Sequence, residues 1–443
     1  MLPGTRLLSL LLLLATTAAA QPYTLLIRNG YVIDPGSNRH DTLDVAIRDN
    51  RIVKIAKDID PRKAKKQLDA RGLIVCPGLI DIHTHVFFAP DSAAANTSAA
   101  ANTSAVANTS AAANTSATAN TLAAANAAND SDLEYAGGPE ALHPDSFSFR
   151  SGVTTVVDAG SSGWRNFPTF KARVIDHSKT RVLAFLNIVG AGMRGNPYEQ
   201  DTLDMNGPLT ATFARRYPKY IVGIKVAHYL GTSWHPIDAA VSAGRIAHIP
   251  VMIDFGEHLP PMSIRQLFEQ HLHPHDIFTH CFAQLEDREP IVDPKTNKLK
   301  PFVIAARKKG IVFDVGYGEI SFAFSQAIPA IKAGFLPNSI STDLHKDATH
   351  DMLDIMSQFL ALGVDLPTVI AMASSHPARE IGRPQLGSLC EGRIADIAIL
   401  QLEKGDFVAT DHMGQALSGG QMLRCVRTIK DGRLVYSRNR PGL

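Results

Sequence analysis

Apolar residues in the middle of this chain fall into short runs that end on polar residues. LIDIH (79–83), TTVVDAG (154–160), RVLAFLNI (181–188), IVGIKVAHY (221–229), PVMIDFG (250–256), DIFTHCF (276–282), GIVFDVGYG (310–318) and SISTDLH (339–345) make eight strand-like runs. Helix-sized segments separate them, among them SIRQLFEQHL (263–272) and HDMLDIMSQFLALG (350–363). Strands alternating with helices predict a parallel (β/α)₈ barrel of the TIM type over residues 78–383.

Both flanks are patterned differently. From Tyr23 to Pro77, short segments alternate between apolar and polar positions (YTLLIRNGYVID, DVAIRDNRIVKIA, KQLDARGLIVC), broken by Asn-Gly and Asp-Pro-Gly signals. ADIAILQLE (395–403) and VRTIKDGRLVYS (426–437, with an Asp-Gly turn) repeat the style near the other end. Period-2 alternation with turn signals predicts antiparallel strands. Residues 21–77 and 384–443 are therefore expected to form one small composite β-sandwich domain.

Two stretches stand outside this plan. Residues 1–20 carry Arg6, an apolar stretch from Leu7 to Ala15 and Ala18-Ala19-Ala20 before Gln21, the pattern of a cleaved signal peptide. The stretch is shorter than the roughly 20 residues a spanning helix needs, and no later segment is long and apolar enough to span a membrane, so export to the periplasm or medium is expected. Residues 93–129 repeat Asn-Thr-Ser and alanine every six residues and contain nothing bulky enough for a core, so they read as a low-complexity surface insertion. Asn96, Asn102, Asn108 and Asn114 each fit the glycosylation acceptor rule.

Composition adds exclusions. The 443 residues are 45% hydrophobic and 19% charged, ordinary for a globular protein, and 44 Lys plus Arg against 42 Asp plus Glu leave a formal charge of +2. With no long basic run or interleaved aromatics, nucleic acid is not an expected partner. The expected partner is a small-molecule substrate, and a homo-oligomer is left open. Cys76, Cys281, Cys390 and Cys425 lack zinc-finger spacing and are expected as reduced, buried thiols, since Cys76 and Cys281 lie in apolar segments.

Candidate chemistry sits where the runs end. His83 and His85 alternate on one strand, so both imidazoles face one side. Lys225, His280 and Asp343 lie at or near the polar ends of later runs, and a barrel gathers such ends at one face. Taken singly, His280 reads as a hydrogen-bonded core histidine and Asp343 as a helix cap. Together, in strand order one, four, six and eight, they read as a metal site.

Imidazole and carboxylate ligands suit zinc, with manganese, iron or cobalt as alternatives. Metals supply a strong nucleophile and a charge stabiliser for amide hydrolysis. His83 and His85 would hold one ion and His280 a second. Asp343 would bond the bridging hydroxide and shuttle its proton to the leaving nitrogen. A lone ammonium at Lys225 is costly without a partner, and a carbamate formed with carbon dioxide would turn it into a bridging carboxylate. His228 and His345 are weaker candidates for contacting substrate, and His271, His273 and His275 read as a loop on the barrel's far side. Asn187 and Arg194 lie in a strand-end loop where specificity would reside.

VCPGLIDIHTH, IKVA, FTHC and STDLH, together with the split β-domain, resemble the amidohydrolase superfamily over nearly the whole mature chain. GVTTVVDAGS, PHDIFTHC, FDVGYG, GFLPNSISTDLH and SSHPAREIG resemble its amidohydrolase/deacetylase branch, near the dihydroorotases and D-aminoacylases. The resemblance implies that His83 and His85 bind the first metal, carbamylated Lys225 bridges, His280 binds the second and Asp343 is ligand and general base. It implies two zinc ions, with manganese as the alternative. One position departs from the pattern: where the family places a histidine after the fifth strand, this chain has Asp254, followed by Glu257 and His258. Asp254 is expected to ligate the second ion; a mononuclear site, with Lys225 unmodified and paired to Asp254, is the alternative.

The expected function is therefore metal-dependent hydrolysis of carbon–nitrogen bonds by metal-bound hydroxide, deacetylating N-acyl amino acids or opening a cyclic amide. An esterase for acylated hydroxy acids and a non-catalytic metal-binding protein on the same scaffold are the competing expectations.

Overall fold

The computed structural model of the chain describes residues 21–87, 141–254 and 261–438. The expected signal segment, the repeat insertion at 93–129, Glu257 and His258 lie outside the described residues.

The first alternating segments become strands β1 (Leu25–Asp34), β2 (Arg39–Arg48), β3 (Arg51–Ala56), β4 (Gln67–Asp69) and β5 (Ile74–Pro77). Leu79–Thr84, β6, follows directly and opens a second sheet with β7 (Val153–Ala159), β8 (Arg181–Asn187), β9 (Ile221–Val226), β10 (Val251–Ile253) and β11 (Ile277–Phe278). A small antiparallel hairpin of β12 (Val292–Asp293) and β13 (Lys298–Leu299) precedes the last of its members, β14 (Val312–Phe313). This sheet is seven-stranded, runs β14-β11-β10-β9-β8-β7-β6 and is parallel at every step.

The eighth expected strand is present as two parallel bridges, Asp314 to Ser339 and Thr84 to Leu344, which tie segment 339–344 to both edge strands of the curled sheet. Asp343 N–H donates to the His83 carbonyl at 2.8 Å and Tyr317 N–H to the Ser341 carbonyl at 3.1 Å. Asp343 has φ of 53°, a left-handed backbone that interrupts extended pairing, so no continuous ladder forms.

Helices fill the intervals, among them Gly207–Arg216, His235–Ala247, Pro301–Lys309, Phe324–Lys332 and Met352–Ala361. The last begins at a capping box in which Asp351 and Asp354 satisfy each other's backbone N–H groups. The segment 263–272, expected as one helix, is a short turn, Ile264–Gln266, continued by a π-helical stretch, Leu267–His271. His271 was expected in a loop; it closes this stretch, stacks on Trp234 at 4.1 Å and pairs with Asp238 at 2.6 Å. Among the described residues no helix is long and apolar enough to cross a membrane.

Near the end of the chain, β15 (Ile397–Thr410), β16 (Ala416–Lys430) and β17 (Arg433–Ser437) return to the first sheet. The ends form one eight-stranded mixed sheet in the order β17-β16-β15-β5-β1-β2-β3, with β4 beside β1. The antiparallel pairing of Ile74–Pro77 with Ile397–Leu400 joins the two halves, and apolar residues of both, among them Val45, Ile52, Val426 and Ile429, share one buried cluster. The Asp431-Gly432 turn stands where the sequence places it, both residues having positive φ.

Apolar residues of the parallel strands pack in two layers. One cluster packs the strands against the helices, through Leu186, Ile224, Phe278 and Phe313 with Ala240 and Ile237. The other contains Phe185, Met252, Ile277 and Val312 and is plugged by Ile381 and Leu386. By strand alternation, the residues two further on share the second side. Those are Asn187, Asp254, Thr279 and Asp314, and the switch from apolar to polar there marks where the core ends and the pocket begins.

Candidate metal centre

His83 is buried at the end of β6, with its Nδ1 3.0 Å from Thr279 Oγ1. The Thr279 hydroxyl donates its only proton to Asp314 Oδ2 at 2.8 Å, so it accepts from His83 Nδ1. Asp314 is held by two further donors, Ser339 Oγ at 2.7 Å and Ser341 Oγ at 2.6 Å. This chain of bonds assigns the ring proton to Nδ1 and leaves the Nε2 lone pair facing the pocket. Burial, reinforced by Lys225, holds the ring well below the usual imidazole range and therefore neutral.

His280 repeats the arrangement. Its Nδ1 lies 2.5 Å from the Gly316 carbonyl, which can only accept, so Nδ1 carries a proton and Nε2 is turned to the pocket. His280 Nε2 stands 3.2 Å from Asp254 Oδ2, while His83 Nε2 and His85 Nε2 stand 3.3 and 3.1 Å from Asp343 Oδ1. The unprotonated Nε2 of His83 thus faces a carboxylate oxygen, an arrangement that suits a cation between them. His85 is steadied through Nδ1 by Ser161 Oγ at 3.3 Å, and Ser161 N–H in turn bonds Asp158.

Two overlapping donor sets result, His83–His85–Asp343 and His83–Asp254–His280, each with its ligand atoms within 4.8 Å of one another. Neutral imidazoles and ionised carboxylates at such spacing fit a divalent metal. Burial alone would raise the Asp254 carboxyl, but His280, Lys225 and Arg288 outweigh it and hold it well below the carboxylate range. Asp343 behaves alike: burial is outweighed by the histidines around it, the hydrogen bond with His85 included.

Lys225 projects from β9 into the same space and is fully buried. Its Nζ is 2.9 Å from His83 Nε2 and 3.5 Å from Asp254 Oδ2, with Met252 Sδ at 3.8 Å. Burial lowers its pKa, against the opposing pull of Asp254 and Asp343. Gly160 makes room for it. A Cβ there would lie 2.6 Å from Lys225 Cγ, and the backbone has φ of 91°.

The turns that aim these groups are locally unusual. His280 and Asp343 have φ of 54° and 53°, a region that Asp and His enter more readily than most residues. Gly318, in the FDVGYG run, lies so close that a Cβ would sit 2.8 Å from Asp343 Oδ2.

All six expected residues, His83, His85, Lys225, Asp254, His280 and Asp343, thus converge on one pocket. Other candidates stand apart from these contacts. His228 pairs with buried Glu199 at 2.7 Å, and His345 bonds through Nδ1 to the Asp343 carbonyl. Asn187 is spent on the Gly160 carbonyl and the Val189 N–H, and Arg194 stacks on Tyr198 at 4.5 Å. All four cysteines are free thiols. Sequence reasoning missed Thr279, Asp314 and Arg288. Thr279 and Asp314 were findable as inward polar positions on strands; Arg288 carried no signal.

Comparison with known proteins places the chain among similar sequences and folds. A family model described as "Amidohydrolase family" matches residues 321–435. A deacetylase of Brucella anthropi is 29% identical over 409 residues, covering 89% of this chain and 88% of that protein. A deacetylase of Enterococcus faecalis is 30% identical over 303 residues, covering 66% of this chain and 80% of that protein. The crystal structure of an adenine deaminase superposes with a TM-score of 0.76 at 26% identity, covering 94% of this chain and all of that one.

Proposed function

The chain belongs to the amidohydrolase superfamily and is a hydrolase of carbon–nitrogen bonds other than peptide bonds, and from that premise we propose that it deacetylates N-acyl amino acids or opens a cyclic amide. The observation that carries this reading is the pair of adjoining donor sets around His83, in which imidazole nitrogens and carboxylate oxygens converge within 4.8 Å. The deacetylase relatives favour the first substrate class.

His83, His85 and Asp343 would hold one ion, and Asp254, His280 and a modified Lys225 the second. Bound zinc or manganese lowers the pKa of water and polarises a carbonyl. The residues supply the rest. Asp343, ionised and 3.1 Å from His85 Nε2, accepts the proton released at the attacking oxygen and passes it to the leaving nitrogen. The Asp314–Thr279–His83 chain keeps the histidine lone pair aimed inward.

Burial favours the neutral amine of Lys225. Its nitrogen lone pair adds to the carbon of carbon dioxide and one N–H proton leaves to solvent, giving a carbamate able to bridge. Segment 339–344, bonded to both edge strands, closes the parallel sheet as the eighth strand of a (β/α)₈ barrel, flanked by the composite domain of residues 21–77 and 384–443. The apolar leader at 1–20 directs export.

Elemental analysis of mature protein produced with bicarbonate and zinc or manganese tests the site first. Close to two ions per chain supports the bridged centre, one supports a mononuclear enzyme, and none removes the metal reading. N-acetyl amino acids of both hands, cyclic amides and acyl esters then decide the reaction. Turnover of esters alone would replace the amidase reading.

A further inference from the structure

Asp254 has its two oxygens divided between different partners. Oδ2 faces the pocket, 3.2 Å from His280 Nε2 and 3.5 Å from Lys225 Nζ. Oδ1 receives a hydrogen bond from Arg288 Nη2 at 2.8 Å. Arg288 is 7% exposed, and its Nε and Nη1 have no hydrogen-bond partner among the described residues. Among the described residues this buried guanidinium leaves two of its nitrogens unpartnered and makes its one side-chain hydrogen bond to a single carboxylate oxygen. Its contribution is therefore concentrated on that carboxylate.

Arginine suits this task. Its charge is permanent and a guanidinium is more weakly hydrated than an ammonium, so it pairs with a buried carboxylate more readily than lysine does. Held through Oδ1, Asp254 cannot swing away from the pocket. Its extra negative charge, next to Asp343, is also offset from outside the ion-binding space.

We propose that Arg288 is a positioning residue of the metal centre, which reserves Asp254 Oδ2 for the ion on the His280 side and supplies the counter-charge that a carboxylate needs there. This rests on the reading of the pocket as a metal centre.

The test uses the full chain loaded with zinc or cobalt, as wild type, Arg288→Met, Arg288→Lys and Asp254→Asn. Zinc affinity is measured by chelator competition, ions per chain by elemental analysis, coordination by the absorption of the cobalt form, and folding by the melting temperature. Partners that orient metal ligands commonly change affinity about 10–100-fold when removed. Arg288→Met should lose that much affinity at one ion only, alter the cobalt spectrum in the same sense as Asp254→Asn, and leave the other ion in place. Arg288→Lys should recover part of the loss, and it supplies the comparison should the methionine variant not accumulate as folded protein. Wild-type affinity and an unchanged cobalt spectrum in Arg288→Met, even with a lower melting temperature, would make the ion pair purely structural and overturn the proposal. A wild-type chain that binds no metal would overturn the metal-centre reading itself, and the role of Arg288 with it.

Discussion

Replacing Asp343 with asparagine deletes one charge and the ability to take up a proton while keeping the outline of the side chain. Asparagine is chosen because of the backbone. At φ of 53° the chain is in a left-handed region that Asp and Asn tolerate, whereas other residues pay roughly 1–2 kcal/mol there. Alanine would therefore mix strain with lost chemistry. Asp343 Oδ1 lies 3.1 Å from His85 Nε2 and 3.3 Å from His83 Nε2, so the oxygen proposed to move the proton is the one beside the first donor set. A positioned acid–base group contributes about 10²–10⁴-fold to rate, which is about 2.7–5.4 kcal/mol of barrier at 1.36 kcal/mol per tenfold. Steady-state kinetics on an N-acetyl amino acid turned over by wild type, with metal content measured on the same samples, should show kcat reduced by that factor and KM nearly unchanged. An unaltered kcat, or a loss explained entirely by missing metal, would remove Asp343 from proton transfer.

The same substitution has a pH signature in the metal-free chain. Folding lowers the Asp343 carboxyl from its usual 3.8, because His83, His85 and His280 outweigh burial. A carboxyl lowered by folding contributes stability that is complete above its unfolded pKa and disappears as pH falls through the folded one. The stability difference between wild type and Asp343→Asn, measured by urea unfolding, should thus be constant from neutrality to somewhat above 3.8 and shrink below it. A difference that grew on acidification would contradict the assigned sign.

Three further substitutions probe the neighbours. Lys225→Ala should abolish most turnover, and wild type stripped of carbon dioxide should regain activity with bicarbonate; full activity in the variant would refute a bridging role. Thr279→Val removes the hydroxyl between Asp314 and His83 and should weaken zinc binding about 10–100-fold by chelator competition, with little change in melting temperature. Gly160→Ala places a Cβ 2.6 Å from Lys225 Cγ at a positive φ. Strain of about 1–2 kcal/mol and overpacking of about 1–3 kcal/mol should lower the melting temperature and displace Lys225 together.

The parallel sheet was legible because each strand is an apolar run bounded by a polar residue. β8 and β9 occupy Arg181–Asn187 and Ile221–Val226 inside the runs read from the sequence. Legibility falls where pairing depends on backbone angle. Run 339–345 has the composition of a strand, yet Asp343 turns left-handed and only two bridges form. The outer halves of β15 and β16 escaped notice for another reason. Residues 404–420 are mostly exposed or half-buried, so no apolar alternation announces them. The joining of the two halves through Ile74–Pro77 and Ile397–Leu400 was not legible, because alternation reports that one face is buried, not which edge a strand pairs with.

The site shows a sharper division. Lys225 stood out as a lone ammonium in an apolar run, where desolvation makes a bland reading expensive, His280 only jointly with the other ligand types in strand order, and Asp254 only where the family pattern has a histidine. Arg288 lies in LEDREP (285–290), a stretch indistinguishable from a solvated loop, and its burial against Asp254 is purely tertiary. The proton assignments were beyond sequence altogether. His280 is set by the carbonyl of Gly316, 36 residues away, and every residue has a carbonyl. His83 is set by Thr279, whose hydroxyl is committed only because Asp314 accepts it. Residue types therefore identified which atoms meet, whereas the hydrogen bonds that turn each Nε2 toward the carboxylates follow from the tertiary structure alone.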